Sequence, residues 1–209
     1  LPSSHNDYTV IHYYNFKMIN NNLLTKYLNL ISEIANDSNL ANLDDIFNRI
    51  ASHFETKGRL FIAGNGGSSA ISLHAATDLA KLNKGSNRIN VISLNTNIPL
   101  ITAYSNDENY DNVFVNILKN YEPTNEDTLV TVSSSGNSKN IVNLISFCNE
   151  EKVYTCSLNG FDGGEASRIS NSSIVFESKQ GYYGPVEDLH MMLFHLFAHS
   201  IREDIEEIN

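Results

Sequence analysis

The feature that most limits how this chain can fold is an alternation that runs through its last three quarters. Short apolar runs (RLFIA at 59–63, INVISL at 89–94, TLVTV at 128–132, VYTCSL at 153–158 and SIVFE at 173–177) are separated by stretches with helical spacing. Short runs of that kind read as strands buried on both faces. Parallel strands need a crossover between them, and a helix is the usual one, so the alternation predicts an α/β fold. Ahead of the first strand, Leu24, Tyr27, Leu28, Ile31 and Ile34 recur at helical spacing until Asn36-Asp37-Ser38. A second helix is expected through Ile46, Phe47, Ile50, Ala51 and Phe54, with Gly58 placed to end it. A long last helix, free of Gly and Pro, is expected from Val186 to about Ile208.

Composition excludes several classes. At 209 residues and 41% hydrophobic the chain is too apolar for a disordered one and sized for one domain. No apolar run approaches the ~18 residues of a membrane helix, so no membrane partner is expected. Fourteen Lys and Arg against 24 Asp and Glu give a formal charge of −10, which argues against direct contact with nucleic acid. Cys148 and Cys156 are too few to staple a secreted scaffold, so a reducing cytoplasm is the expected compartment. The first 17 residues show no period and lack the features of a signal peptide; they read as a tail or arm, with a single domain over 18–209.

Two loops have the chemistry to bind phosphate. The first, Ala63-Gly-Asn-Gly-Gly-Ser-Ser-Ala70, lies between a strand and a helix. Its glycines allow close ligand approach, and the helix start supplies free N–H groups and a positive dipole end. An ordinary strand-to-helix turn could use one glycine but seldom three. A dinucleotide fingerprint fits poorly: its third glycine position is Ser69, and Leu94-Asn95 ends the next strand without an acid. The second loop, Ser133-Ser-Ser-Gly-Asn-Ser-Lys139, again joins a strand to a helix and offers four hydroxyls. The plain alternative is a cap made by Ser138 or Asn137. Two such loops at equivalent strand ends point to a crevice at the carboxyl edge of a sheet.

Two helical clusters carry titratable groups. His74 and Asp78 are i, i+4 and so share one helix face; a plain surface pair would look the same. On the last helix Glu187, Asp188, His190, His195 and His199 lie among apolar residues. At about 100° per residue, Asp188, His195 and His199 fall on nearly one stripe and Glu187 sits about 80° from His195. Periodicity alone therefore pairs His195 with Asp188. His190 and His199 read as core-edge or helix-end histidines, and no role is argued for His5, His12 or His53.

Taken together, GNGGSSAxxxHxxxDL at 64–79, SSSGNS at 133–138, NGFDGGE at 159–165 and the final VEDLHxxxxH at 186–195 resemble the sugar isomerase (SIS) domain. Within that family the chain is similar to the phosphoheptose isomerases, from about Met18 to Glu203 and including SNDENYD at 105–111. The resemblance implies a three-layer α-β-α sandwich with a five-stranded parallel sheet, preceded by N-terminal helices. It implies aldose–ketose isomerisation of sedoheptulose 7-phosphate through an enediol, for bacterial surface glycans. Binding of the sugar phosphate falls on Asn65, Gly66, Gly67, Ser68, Asn106, Asp107, Ser133, Ser134, Ser135 and Ser138. Catalysis falls on Asp78, Glu187 and His195, and a divalent metal site, zinc in the first place where a member carries one, on His74, Asp78, Glu187 and His195. Here the resemblance selects Glu187, where periodicity selected Asp188. A homotetramer is implied as well, its sites between subunits and residues of the last helix serving a neighbour's loops. Three departures stand out: Asp78 replaces Glu, Glu187 replaces Gln, and Gly184-Pro185 occupy an Asp-Arg pair. They keep open two other readings, a non-catalytic SIS protein (a sugar-phosphate sensor or a replication-initiator-associating regulator) and an isomerase of different sugar specificity.

Overall fold

The computed structural model describes residues 21–38, 40–84 and 87–202. His5, His12, Met18 and the end of the last expected helix lie outside them. Five parallel strands form the sheet: β1 (Arg59–Gly64), β2 (Asn90–Ser93), β3 (Thr128–Ser133), β4 (Tyr154–Phe161) and β5 (Ser172–Glu177). Their spatial order is β2-β1-β3-β4-β5. The order reverses between β1 and β3, and the crevice outside such a switch point is where ligands bind in open α/β sheets. A small antiparallel pair, Asn83–Lys84 with Asn87–Arg88, lies apart from the sheet.

The helices are α1 (Asn21–Asp37), α2 (Leu43–Ala51), α3 (Gly67–Lys81), α4 (Ile98–Asp107), α5 (Val113–Lys119), α6 (Lys139–Glu150), α7 (Gly164–Ile169) and α8 (Tyr183–Arg202). Successive side chains of β1 point to opposite faces and are buried from Leu60 onward. Leu60 and Ile62 join Ile46 and Ile50 of α2, Ile71 and Leu79 of α3, and Leu189, Phe194 and Phe197 of α8. Phe61 and Ala63 join Val113, Phe114, Val115, Ile117 and Leu118 of α5, Ile141, Leu144 and Ile145 of α6, and Ala166 of α7. These two cores on opposite sides of one sheet make the expected three layers.

Three boundaries move, each for a local reason. β4 runs three residues past VYTCSL because Asn159, Gly160 and Phe161 continue the ladder with β5, although the apolar run has ended. α2 stops at Ala51 and tightens into a 3₁₀ turn at Ser52–Phe54, well short of Gly58. There His53 is buried and bridges the Gly58 carbonyl (3.1 Å) and the Thr128 hydroxyl (2.8 Å), a structural role the sequence did not suggest. α8 begins at Tyr183 and includes Gly184 and Pro185, since a proline in the first turn sacrifices no intrahelical bond.

Candidate active site

The two loops flank the switch point and are braced from behind. Asn95, buried beyond β2, takes the Gly64 N–H on its Oδ1 (3.2 Å) and donates to the Gly64 carbonyl (2.9 Å). Asn65 and Asn140 exchange amide hydrogen bonds (2.8 and 2.9 Å), tying the first loop to the first turn of α6. The Tyr110 hydroxyl donates to the same Asn65 oxygen at 2.8 Å. The Asn65 amide, expected to bind phosphate, is therefore engaged as a bracket between the loops.

The second loop rests on the NGFDGGE segment. Gly160 N–H donates to Ser134 O (3.0 Å), Ala166 N–H to Gly136 O (2.8 Å) and Glu165 N–H to Asn137 Oδ1 (3.0 Å). Gly136 has a φ of 61°, in the left-handed region, and a Cβ there would run into the Gly163 carbonyl oxygen. Ser138 occupies the N-cap of α6 but makes no side-chain capping bond. Ser134 is 5% exposed, and its buried hydroxyl has no hydrogen-bond partner among the described residues. Buried polar atoms are normally satisfied, so an orphaned hydroxyl on a helix-start loop is what a binding site for anionic oxygens would leave open.

A pocket of about 170 Å³ lies over these groups, lined by Asn65, Ser68, Val132, Ser133, Ser134, Ser135, Ser138, Tyr183 and Glu187. Gly66, Gly67, Asn106 and Asp107 do not line it. Asn106 and Asp107 end α4 and bond to each other (2.9 Å) on the surface. Tyr183 lines the pocket unannounced, since it precedes the expected start of the last helix. A larger cleft of about 590 Å³ shares Ser135 but is lined otherwise by Asn137, Phe161, Asp162, Glu177, Ser178 and Gln180, away from the histidines.

Glu187 enters the pocket from the second turn of α8 and packs on Gly67, where any Cβ would collide with both carboxylate oxygens. Burial, and then the charge of Asp188, push the Glu187 carboxyl above its ordinary range. Asp188 faces the other way and accepts the Tyr27 hydroxyl of α1 at 2.6 Å. Burial first, then this bond, push the Tyr27 phenol up to about 12.

α3 and α8 pack side by side. From Gly67 to His74 is seven residues and from Glu187 to His195 eight, about 11 Å along each axis at 1.5 Å per residue. There His74 Nε2 lies 3.0 Å from His195 Nε2 and 3.1 Å from Asp78 Oδ2, and His195 Nε2 lies 4.0 Å from the same oxygen. His74, Asp78 and His195 converge closely enough for one ion, and all three come from a single chain. Glu187 is not part of this group; it belongs to the pocket. Two imidazole nitrogens and a carboxylate oxygen suit zinc, and three protein ligands leave a position open.

His190, on the same helix, is wholly buried and bonds the Asn159 carbonyl through Nε2 (3.2 Å). Burial, partly opposed by that bond, lowers its pKa to about 4, so it is neutral. It is a core residue, more deeply placed than a core-edge position, whereas His199 is exposed in the last described turn of α8.

Comparison with known proteins now decides the family. The SIS domain profile matches residues 24–160. The phosphoheptose isomerase of Helicobacter pylori (strain ATCC 700392 / 26695) is 31% identical over 156 residues, 74% of this chain and 80% of that protein. The chain belongs to the SIS family, in its phosphoheptose isomerase group. A second relative, the phosphoheptose isomerase of Buchnera aphidicola subsp. Schizaphis graminum, is 27% identical over 84% of this chain and 90% of its own length. A phosphoheptose isomerase structure from Francisella tularensis shares the fold of this SIS protein with a TM-score of 0.75, at 20% identity over 87% of this chain and 95% of that one.

Proposed function

We propose that this protein is an aldose–ketose isomerase that interconverts sedoheptulose 7-phosphate and an aldo-heptose 7-phosphate for bacterial surface-glycan synthesis. The observation that carries the reading is the α3–α8 seam, with a serine-lined pocket at one end and a His–Asp–His group two helical turns away. A phosphorylated sugar chain needs those two things at that separation. The phosphate accepts from the hydroxyls of Ser133, Ser134, Ser135 and Ser138 and from the start of α6, and this remote binding places the carbonyl end.

Asp78 is set to take the proton from the carbon beside the carbonyl, giving an enediol. His195 passes a proton to and from the carbonyl oxygen, as imidazole is the side chain best suited to general acid–base transfer. The return of the proton to the neighbouring carbon completes the exchange without an outside oxidant or reductant. His74, Asp78 and His195 would hold a divalent ion, zinc best, and when bound it would polarise the carbonyl and stabilise the enediolate.

The SIS domain on this reading spans 18–209 and works as a homotetramer. Supporting that, Leu24 and Leu28 of α1 are 54% and 55% exposed, and Leu73 of α3 and Met192 and Leu196 of α8 are exposed beside the His–Asp–His group. Apolar surface on three packed helices marks an interaction face. Cys148 and Cys156, both buried free thiols, fit a cytoplasmic setting; no described helix is long and apolar enough to cross a membrane.

Proton NMR in D₂O with sedoheptulose 7-phosphate, with and without zinc, tests the reading. Aldose signals or deuterium uptake beside the carbonyl are expected; an unchanged spectrum under both conditions would reject it.

A further inference from the structure

The pocket poses an electrostatic problem. It is lined by four serines of the second loop and by a carboxylate, and none of its lining residues is Lys or Arg. A phosphate seated on the serines would share about 170 Å³ with Glu187. Gly67 leaves the space the carboxylate fills, and Asp188, one residue on, is turned away and held by Tyr27. Glu187 rests against the first turn of α3, the positive end of that helix, where an incoming anion would otherwise settle. The second loop differs: its Ser134 hydroxyl is buried, lines the pocket and lacks a partner.

We infer that Glu187 is a specificity-determining residue that supplies α3 with its anion from within. It leaves the serine loop as the one seat for phosphate and restricts the pocket to ligands with a single anionic group beside an uncharged, hydroxyl-bearing chain. An ionised carboxylate accepts hydrogen bonds and donates none, so sugar hydroxyls suit it and a second phosphate or carboxylate does not. The sugar part rests on the phosphosugar reading above; the charge part rests on the pocket alone.

Calorimetric titration of the full chain with inorganic phosphate, well above the carboxylate titration range, tests it. Glu187→Gln and Glu187→Ala should each bind phosphate about tenfold more tightly than the native chain, with the gain shrinking as salt is added. Asp188→Asn removes the same unit of charge from the adjacent, outward-facing residue and should change affinity by no more than about twofold. Among organic probes, the native chain should prefer glucose 6-phosphate to 6-phosphogluconate, and Glu187→Gln should close the gap. Equal or weaker phosphate binding by both Glu187 variants would overturn the inference, as would an equal gain in Asp188→Asn, or no phosphate binding by any of the chains. Tighter binding in Glu187→Gln without deuterium uptake in the native chain would sink the isomerase reading and leave the charge argument standing; uptake without tightening would do the reverse.

Discussion

The two strand-to-helix loops look alike in sequence, each a run of small residues between a buried strand and a helix, yet the fold uses them in opposite ways. The first is closed from within: the Asn65 amide is taken by Asn140 and Tyr110, and Gly67 is covered by Glu187. The second is left open, with Ser134 unpaired and Ser138 not capping its helix. Composition at a helix start therefore says that an anion can be held there. Which anion, one of the protein's own or one from a ligand, depends on the neighbouring helix.

The sharpest test of this division separates binding from chemistry. His195→Ala should cut turnover at least about a hundredfold, the usual worth of a positioned acid–base group, and leave phosphate affinity nearly unchanged. Ser134→Ala should act on the other parameter, weakening phosphate binding about tenfold, the scale of one hydrogen bond to a charged group. Steady-state kinetics with parallel calorimetry reads both. If the two variants lose the same parameter, pocket and histidines do not have separate roles.

A middle-sized effect concerns the loop backbones. Gly136→Ala meets both a left-handed φ of 61° and the Gly163 carbonyl, and should cost about 3 kcal/mol or more in denaturant unfolding. Gly66→Ala, at a φ of 53° and a ψ of −122° but with nothing within 4 Å of the added carbon, should cost less, about 2 kcal/mol. Equal costs would mean that the second loop is not the more tightly backed of the two.

Acid should act mainly through the layer beneath α8. His190 titrates at about 4 in the fold against an ordinary 6.5, so the unfolded chain binds the extra proton and stability falls as pH drops. The loss begins near pH 6.5 and is complete for this group near pH 4, amounting to about 3 kcal/mol. His53, lowered chiefly by burial, acts in the same direction. His190→Gln should flatten that part of a thermal-melting profile against pH; an unchanged slope would show that the buried imidazole is not responsible.

Much of the molecule was legible beforehand because its signals are local. Strand runs buried on both faces, glycine and serine at strand ends and i, i+4 spacing need no knowledge of the partner, and they gave the sheet, both loops and the His74–Asp78 pair. Helix periodicity went wrong where the outcome depended on which neighbour lay beyond the helix. It joined Asp188 to His195, but Asp188 is bonded to Tyr27, more than 160 residues earlier in the chain. The family resemblance grouped Glu187 with the histidines, and the fold sets it against Gly67 instead. Asn106 and Asp107, expected at the substrate, end a helix at the surface; of the two residues that brace the loop, Asn140 carried no motif and Tyr110 lay within SNDENYD without an assigned role.

The sequence by itself determined the parallel α/β sheet, the carboxyl edge at which its two helix-start loops lie and the residue types those loops present, because backbone geometry and hydrophobic burial act at short range. Only the tertiary structure decided which groups remain unpaired and which carboxylate faces which helix end. Hydrogen bonds and charges are settled by whichever atom comes within about 3 Å, and that atom is most often supplied by a distant stretch of the chain.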